Sequence, residues 1–379
     1  MSGPDESLRT LLAALHPLGV EPHVVLPARG PQVPRYEALG AQVHFAPLAL
    51  LRRDLSIGAA FYPARLARAT AAVVAIARRV RADLIHTNME VLLEGALAAR
   101  ILKIPHVLHY RGNTLDRPKL AFDALVGLWT RGADHVYCIS GATAEVFRKR
   151  GHRDDKVEVL YNPVDVAAFA SASASDAVRA ELGGRPGAPL IGTVGRVHPR
   201  KDLETFVRAA ARVAARTPEA RFVVVGAAEV PVEKVYAQSI SRLVAQLGLQ
   251  DRVTFAGARR DITAVMHALD IFVLTSRHEG FGRVVAEGMA AGRPVVATAE
   301  GALPELLDGG KLGRLAPAED ADAFAEQISG LLADRPAAAA LGAAAAAAAQ
   351  QFEARTIAAR VWTRYQALVG HANRGPNPS

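Results

Sequence analysis

Cysteine is nearly absent from this chain: Cys138 is the single one in 379 residues. No internal disulfide can form, so the fold rests on packing, and a reducing cytoplasm suits it. Cys138 stands in the apolar stretch His135 to Ile139 and reads as strand filler rather than a reactive thiol. Aromatic residues make up only 6%. They are not interleaved with the basic ones, and no nucleic-acid-binding motif is present, which argues against nucleic acid as a partner. No apolar run reaches the roughly 18–20 residues that span a bilayer. The opening residues, Met1 to Glu6, show neither the basic nor the apolar region of a secretion signal, so a cytoplasmic chain is expected.

What is present suits a globular protein: half the residues are hydrophobic and 22% are charged. The chain is too long for one ordinary core, so two domains are expected. The net charge is +8, and it is concentrated in the first 160 residues, where 21 Lys and Arg face 15 Asp and Glu. A basic first half points to anionic partners such as phosphates or a membrane surface, or to arginine-rich codon usage. Arg52, Arg53, Arg65, Arg68, Arg78, Arg79 and Arg81 lie within it.

Short apolar strands alternate with helical periodicity nearly throughout, the pattern of parallel sheets covered by helices. A first domain over 1–165 is expected, with strands near Val20–Leu26, Ala41–Phe45, Asp83–His86, His106–His109, Val136–Ile139 and Val157–Leu160. Small and polar residues at Ser171–Ser175 and Gly183–Gly187 read as a linker over 166–188. A second domain over 189–350 restarts with Leu190–Val194, and further strands are read at Arg221–Val225, Val253–Phe255, Ile271–Leu274 and Pro294–Ala297. The alanine run Ala337–Ala349 reads as surface helix, and a last helix follows over 351–370. A doubly wound domain usually opens with a buried strand. Here the turn and helix are present without it, as if the start were assigned late or the chain trimmed.

Two segments carry chemistry. In Ser276 to Gly292, Gly280 and Gly282 flank the start of a helix that follows an apolar strand. Helix N-termini leave amides free and favour anions. Glu287 falls about two turns beyond Glu279, and both carboxylates can accept hydrogen bonds from sugar-like hydroxyls; an acidic first turn with a solvated glutamate is the plainer reading. In Gly192 to Asp202, a glycine turn at Gly195 is followed by Arg196, Arg200 and Lys201, a plausible diphosphate clamp or a solvated loop. It is neither a P-loop nor a dinucleotide fingerprint. Gly226 and Gly257 also end strands, where open sheets bind ligands. Asp320-Ala321-Asp322 matches the letters of a metal-binding Asp-x-Asp, but an acidic helix start explains it better. His86, His106 and His109 are not spaced like a zinc site.

With these residues in view, the chain resembles the family 4 retaining glycosyltransferases of the GT-B fold, in which two doubly wound Rossmann-like domains face each other across a cleft. Gly195-Arg196 with Lys201, Glu279-Gly280-Phe281-Gly282 closing at Glu287, and Gly301-Ala302-Leu303-Pro304-Glu305 with Gly313 carry the resemblance. Asp83 to Asn88, Pro105 to Arg111 and Tyr161 to Asp165 are similar more loosely. The resemblance implies that Arg196 and Lys201 neutralise the diphosphate of a nucleotide-sugar donor. It implies that Glu279 binds hydroxyls of the transferred sugar, that Gly280 to Gly282 and Val284 face sugar and phosphate, and that Glu287 holds the ribose. Gly226 and Arg259 would border the donor, His109 would sit near the sugar from the first domain, and Gly3 would stand in the acceptor loop. The last helix would cross back to the first domain.

The reaction implied is metal-independent, cofactor-free, front-face transfer to a glycan or glycolipid acceptor, with retention of configuration. The arginines of the first half, if they rest on anionic lipid rather than form a solvated helix face, would set the reaction in cell-envelope polysaccharide synthesis at the inner face of the membrane. A GT-B phosphorylase or epimerase, or an impaired scaffold subunit, is the alternative. Two departures stand out: Ser2-Gly3 replaces the paired glycines of the family's first loop, and Arg283 occupies a place more often apolar or small.

Overall fold

The computed structural model describes residues 3–51, 61–112, 119–149, 155–173 and 175–373. Arg52, Arg53 and Ser2 lie outside them. The chain divides into two compact units, residues 1–163 with 354–379, and residues 164–353.

In the first unit, β1 (His23–Leu26) pairs in parallel with β2 (Gln42–Phe45). A separate parallel sheet runs β3 (Ile85–Thr87), β4 (His106–Tyr110), β5 (His135–Cys138) and β6 (Val157–Val159), in that order. Every residue of β4 and β5 is buried, as expected of apolar strands covered on both faces. Alternation along β4 divides its two faces. Leu108 and Tyr110 pack with Trp129 and Phe147, while Val107 packs with Leu11, Leu15, Tyr137, Ile357 and Val361. The second of these clusters joins the opening helix Gly3–Leu15 to the long helix Ala354–Asn373. The end of the chain is therefore part of the first unit's core. Cys138 is fully buried in β5.

The second unit is one six-stranded parallel sheet, β7 (Leu190–Val194), β8 (Arg221–Val225), β9 (Val253–Gly257), β10 (Ile271–Leu274), β11 (Val295–Thr298) and β12 (Arg314–Ala316). Its spatial order is β12-β11-β10-β7-β8-β9. Counted from the first strand of the unit, this is the doubly wound order 3-2-1-4-5-6, which reverses direction between β7 and β10.

Residues 166–188 differ from the expected linker. They carry helices Val166–Ser171 and Asp176–Glu181, capped by the Asp165 and Ser175 side chains, and belong to the second unit. Arg179 fastens this segment to the sheet through the Ala188 and Ala268 carbonyls and Asp270, each at 2.6 Å. The alanine-rich helix, Arg335–Ala348, is only partly a surface element, because Ala338, Gly342 and Ala345 are buried. Asp320 caps the helix Ala321–Ala333 by accepting the Asp322 and Ala323 amides, which accounts for the Asp-x-Asp letters.

Candidate functional site

The carboxyl ends of β7 and β10 meet where the strand order reverses, the place where open α/β sheets bind ligands. The turn after β7 is held against its neighbour: Gly195 N–H donates to the Val225 carbonyl at 2.9 Å, and Gly226 N–H to Gly257 at 2.7 Å. A Cβ on Gly226 would lie 1.8 Å from the Gly195 carbonyl oxygen, and Gly226 has φ of +150°. Only glycine fits there.

The loop after β10 is tied to the same turn. Thr275 Oγ1 donates to the Lys201 and Asp202 carbonyls at 3.0 and 2.9 Å, and Arg277 N–H to the Arg200 carbonyl at 3.0 Å. This register sets Lys201 Nζ 2.6 Å from Glu279 Oε1. Burial pushes the Glu279 carboxyl up, but the Lys201 ammonium outweighs it and leaves the group below its ordinary value. Behind Glu279 lies Gly301, with φ of +63°, where a Cβ would fall 2.2 Å from the Glu279 carbonyl oxygen. The Ala302 amide donates to that same carbonyl at 3.0 Å. The Gly301 to Glu305 segment thus buttresses Glu279.

Gly282 precedes the helix Arg283–Ala290; the Val285 and Ala286 amides donate to its carbonyl at 2.8 and 3.3 Å, and the Arg283 and Val284 amides come before any intrahelical acceptor. The Phe281 ring points away into the core, edge-on to Phe352 at 5.6 Å between centroids, so only its backbone is available to a ligand. Glu287 is buried on this helix, and Arg283 Nη2 lies 3.1 Å from its Oε1. Arg196 is half-exposed, 3.3 Å from Glu233, a buried acid that accepts the Glu229 amide at 2.8 Å. The turn therefore offers ammonium, guanidinium and free amides beside two carboxylates, an arrangement suited to a polyhydroxylated anion.

Two further expected residues are held by contacts of their own. Arg259 grips Asp261 with Nε and Nη2, at 2.9 and 2.6 Å, and Glu181 with Nη1 at 2.7 Å. The other is His109. It is fully buried in the first unit, its ring stacked on His86 at 5.5 Å and tilted against Tyr137 at 5.9 Å. Neither ring nitrogen has a partner among the described residues. Alternation along β4 puts it on the Val107 face, which the last helix covers. Gly3 opens the first helix, its carbonyl accepting Ser7 Oγ at 3.0 Å.

Arg111, given no role above, stands just past β4. Its Nε donates to the Asn88 carbonyl at 3.3 Å, its Nη2 to Asn88 Oδ1 at 2.5 Å, and its Nη1 to Asn162 Oδ1. The signal was positional: Asn88, Arg111 and Asn162 each follow a strand at the sheet's carboxyl edge.

A family model for Glycosyltransferase Family 4 matches residues 1–168, and one for Glycosyl transferases group 1 matches residues 188–334. The chain belongs to the group 1, family 4 glycosyltransferases, and its two α/β units are the Rossmann-like domains of the GT-B fold. It is 33% identical over 236 residues to the lipopolysaccharide core biosynthesis mannosyltransferase LpsB of Rhizobium meliloti (strain 1021); the match covers 60% of this chain and 65% of that one, just under two thirds. It is 29% identical to the 2-deoxystreptamine glucosyltransferase of Streptomyces kanamyceticus, over 94% of this chain and 97% of the relative. The crystal structure of Anabaena HepE in complex with UDP-glucose is similar with a TM-score of 0.81 and 27% identity, covering 97% of each chain.

Proposed function

We propose that this chain moves a sugar from a nucleoside-diphosphate sugar to an acceptor hydroxyl, with retention and without a bound metal. The observation that carries the reading is the Lys201–Glu279 pair at the strand-order reversal, beside the open amides of the helix Arg283–Ala290. Lys201, Arg196 and those amides would stabilise the charge that develops on the departing diphosphate. They supply on protein groups the compensation a divalent ion gives in other transferases. Glu279 would accept hydroxyls of the transferred sugar and Glu287 those of the ribose. When the sugar–phosphate bond breaks, its electron pair leaves with the phosphate oxygen. The acceptor oxygen attacks from the same face, and its proton passes to that phosphate. Retention then needs no carboxylate nucleophile of the glycosidase kind. The likeness to HepE, solved with UDP-glucose, supports a UDP-hexose as donor.

The acceptor side is proposed to be cell-envelope glycan or glycolipid synthesis on an anionic membrane face, in keeping with the lipopolysaccharide mannosyltransferase relative. Among the described residues no helix is long and apolar enough to cross a membrane. Exposed Leu97 and Leu128 line one groove of the first unit together with Arg100, Lys103 and Arg131. Apolar side chains rimmed by cations suit a peripheral membrane contact. Sedimentation with phosphatidylglycerol vesicles but not with phosphatidylcholine vesicles is expected.

The test of the donor site is thermal stabilisation by UDP, GDP, ADP and their sugar conjugates, with and without EDTA. A ligand at 100 times its Kd adds about 2.7 kcal/mol to the native state. Stabilisation by one base family that survives EDTA, followed by transfer to a model acceptor with the anomeric configuration kept, supports the reading. Absence of any shift from folded protein removes it.

A further inference from the structure

We propose that Arg283 is a positioning residue of the donor site: it holds the Glu287 carboxylate in the orientation that takes a ribose diol. The inference rests on the reading above that Glu287 meets the ribose, and adds to it the arginine one turn earlier on the same helix.

The pair is in the wrong order to serve the helix. An acid four residues before a base supports a helix, whereas here the base comes first. Arg283 also opens the helix, where the backbone dipole favours anions and disfavours a cation. Nor is it a loose surface contact. The Arg283 side chain is 17% exposed and that of Glu287 9%. Arg283 Nε is buried with no partner among the described residues. A guanidinium in that setting gains little except what it does to Glu287. Two effects follow from the 3.1 Å contact. The guanidinium sets a counter-charge beside a carboxylate that is largely withdrawn from water. Contact through Oε1 also restrains the plane of the carboxylate, a torsion that is intrinsically broad in glutamate. A cis diol is recognised well only by a carboxylate that is ionised and set in plane, since hydrogen bonds to charged groups depend on alignment. The neighbouring pair, Lys201 with Glu279, follows the same plan: each glutamate of the site is held by its own cation.

The experiment measures affinity by calorimetry for whichever of UDP, GDP and ADP the wild-type protein binds, and for its 2′,3′-dideoxy counterpart. The ratio of the two reads the ribose contact alone. Arg283→Met, Arg283→Lys, Glu287→Gln and the Arg283→Met/Glu287→Gln double variant are compared. In wild type the ribose form is expected to bind at least about tenfold tighter, the scale of a hydrogen bond to a charged group. Glu287→Gln and Arg283→Met should each bring the ratio close to one, the double variant no further, and Arg283→Lys should recover part of it. A structural role for Arg283 would lower melting temperature and weaken both ligands equally. An unchanged ratio in Arg283→Met, with the ratio lost in Glu287→Gln, overturns the inference and leaves the donor-site reading standing. A ratio kept in Glu287→Gln overturns the ribose role of Glu287, and this inference with it.

Discussion

Lys201 Nζ lies 2.6 Å from Glu279 Oε1, so the site carries its own counter-charge. The two residues come from different loops of the second unit, one after β7 and one after β10. Their contact depends on the hydrogen bonds that tie those loops together. A site arranged this way is sensitive to removal of either charge alone.

Lys201→Met leaves a largely buried carboxylate without its cation. Urea unfolding is expected to show a loss of about 1–3 kcal/mol, the penalty of an unsatisfied polar group in a partly buried setting. The Lys201→Met/Glu279→Gln double variant should lose less than the two single variants summed, by about 1 kcal/mol or more. Strict additivity would mean that the two side chains do not interact in solution. Nucleoside diphosphate affinity should fall more than tenfold in Lys201→Met even at a temperature where the variant is fully folded.

Gly301→Ala places a methyl group 2.2 Å from the Glu279 carbonyl oxygen, on backbone at φ +63°. The loop must shift, and Glu279 with it. Stability should drop by about 1–3 kcal/mol. Sugar-nucleotide affinity should fall more than affinity for the nucleotide alone, because Glu279 serves the sugar in the proposed site. Equal losses for both ligands would separate Gly301 from the sugar contact.

Much of this architecture was legible in the sequence, for a physical reason. β7 and β10 are short apolar runs buried along their whole length, and such runs announce a covered parallel sheet. β12 escaped notice because Arg314-Leu315-Ala316 is three residues at a sheet edge, with only its last fully buried. The helices at Val166–Ser171 and Asp176–Glu181 were hidden by small residues that read as linker. Their caps were visible, since Asp165 and Ser175 accept amides three residues on, at 3.0 and 3.1 Å. In the second unit Lys201 and Glu279, given to one donor by the family resemblance and not by any local spacing, lie in contact, while Arg259 is taken up by Asp261 and Glu181. No local pattern says which face of β4 the distant last helix covers, and that is what buries His109.

Glu158 anchors that last helix. Its carboxylate accepts Arg360 Nη2 at 2.7 Å and Arg364 Nη2 at 3.3 Å, and lies 3.1 Å from His135 Nε2. Burial raises its pKa, but the His135 and Arg360 contacts overcome this and bring it to about 2 from 4.5. A depressed carboxyl contributes stability above its unfolded value and loses it as pH falls through the folded one, so the window is pH 4.5 to about 2. Glu158→Gln should flatten the stability curve there and lower stability at neutral pH. Hydrogen exchange should quicken in the helix Ala354–Asn373 first. An unaltered acid limb would show that these contacts do not persist in solution.

His86 and His109 act in a higher window, and their behaviour tests where His109 belongs. Burial lowers His109 well below 6.5, with Arg111 and His86 adding to the effect, and brings His86 to about 3. In the unfolded chain both take a proton as pH falls below 6.5, while the folded state stays neutral. Stability is therefore lost from pH 6.5 downward, by about 1.4 kcal/mol per pH unit for each histidine. His109→Phe removes one of these sites without breaking a bond to a described residue, because neither ring nitrogen has a partner there. The variant should be as stable as wild type at pH 8 or more so, and distinctly more stable at pH 5. His86→Phe should gain less, since it also severs the contact of Nδ1 with Tyr365 Oη. Transfer activity decides the matter. A buried structural histidine allows His109→Phe to keep nucleotide binding and most turnover. Loss of turnover with an unchanged acid slope would mean that the ring leaves the core and reaches the reacting sugar.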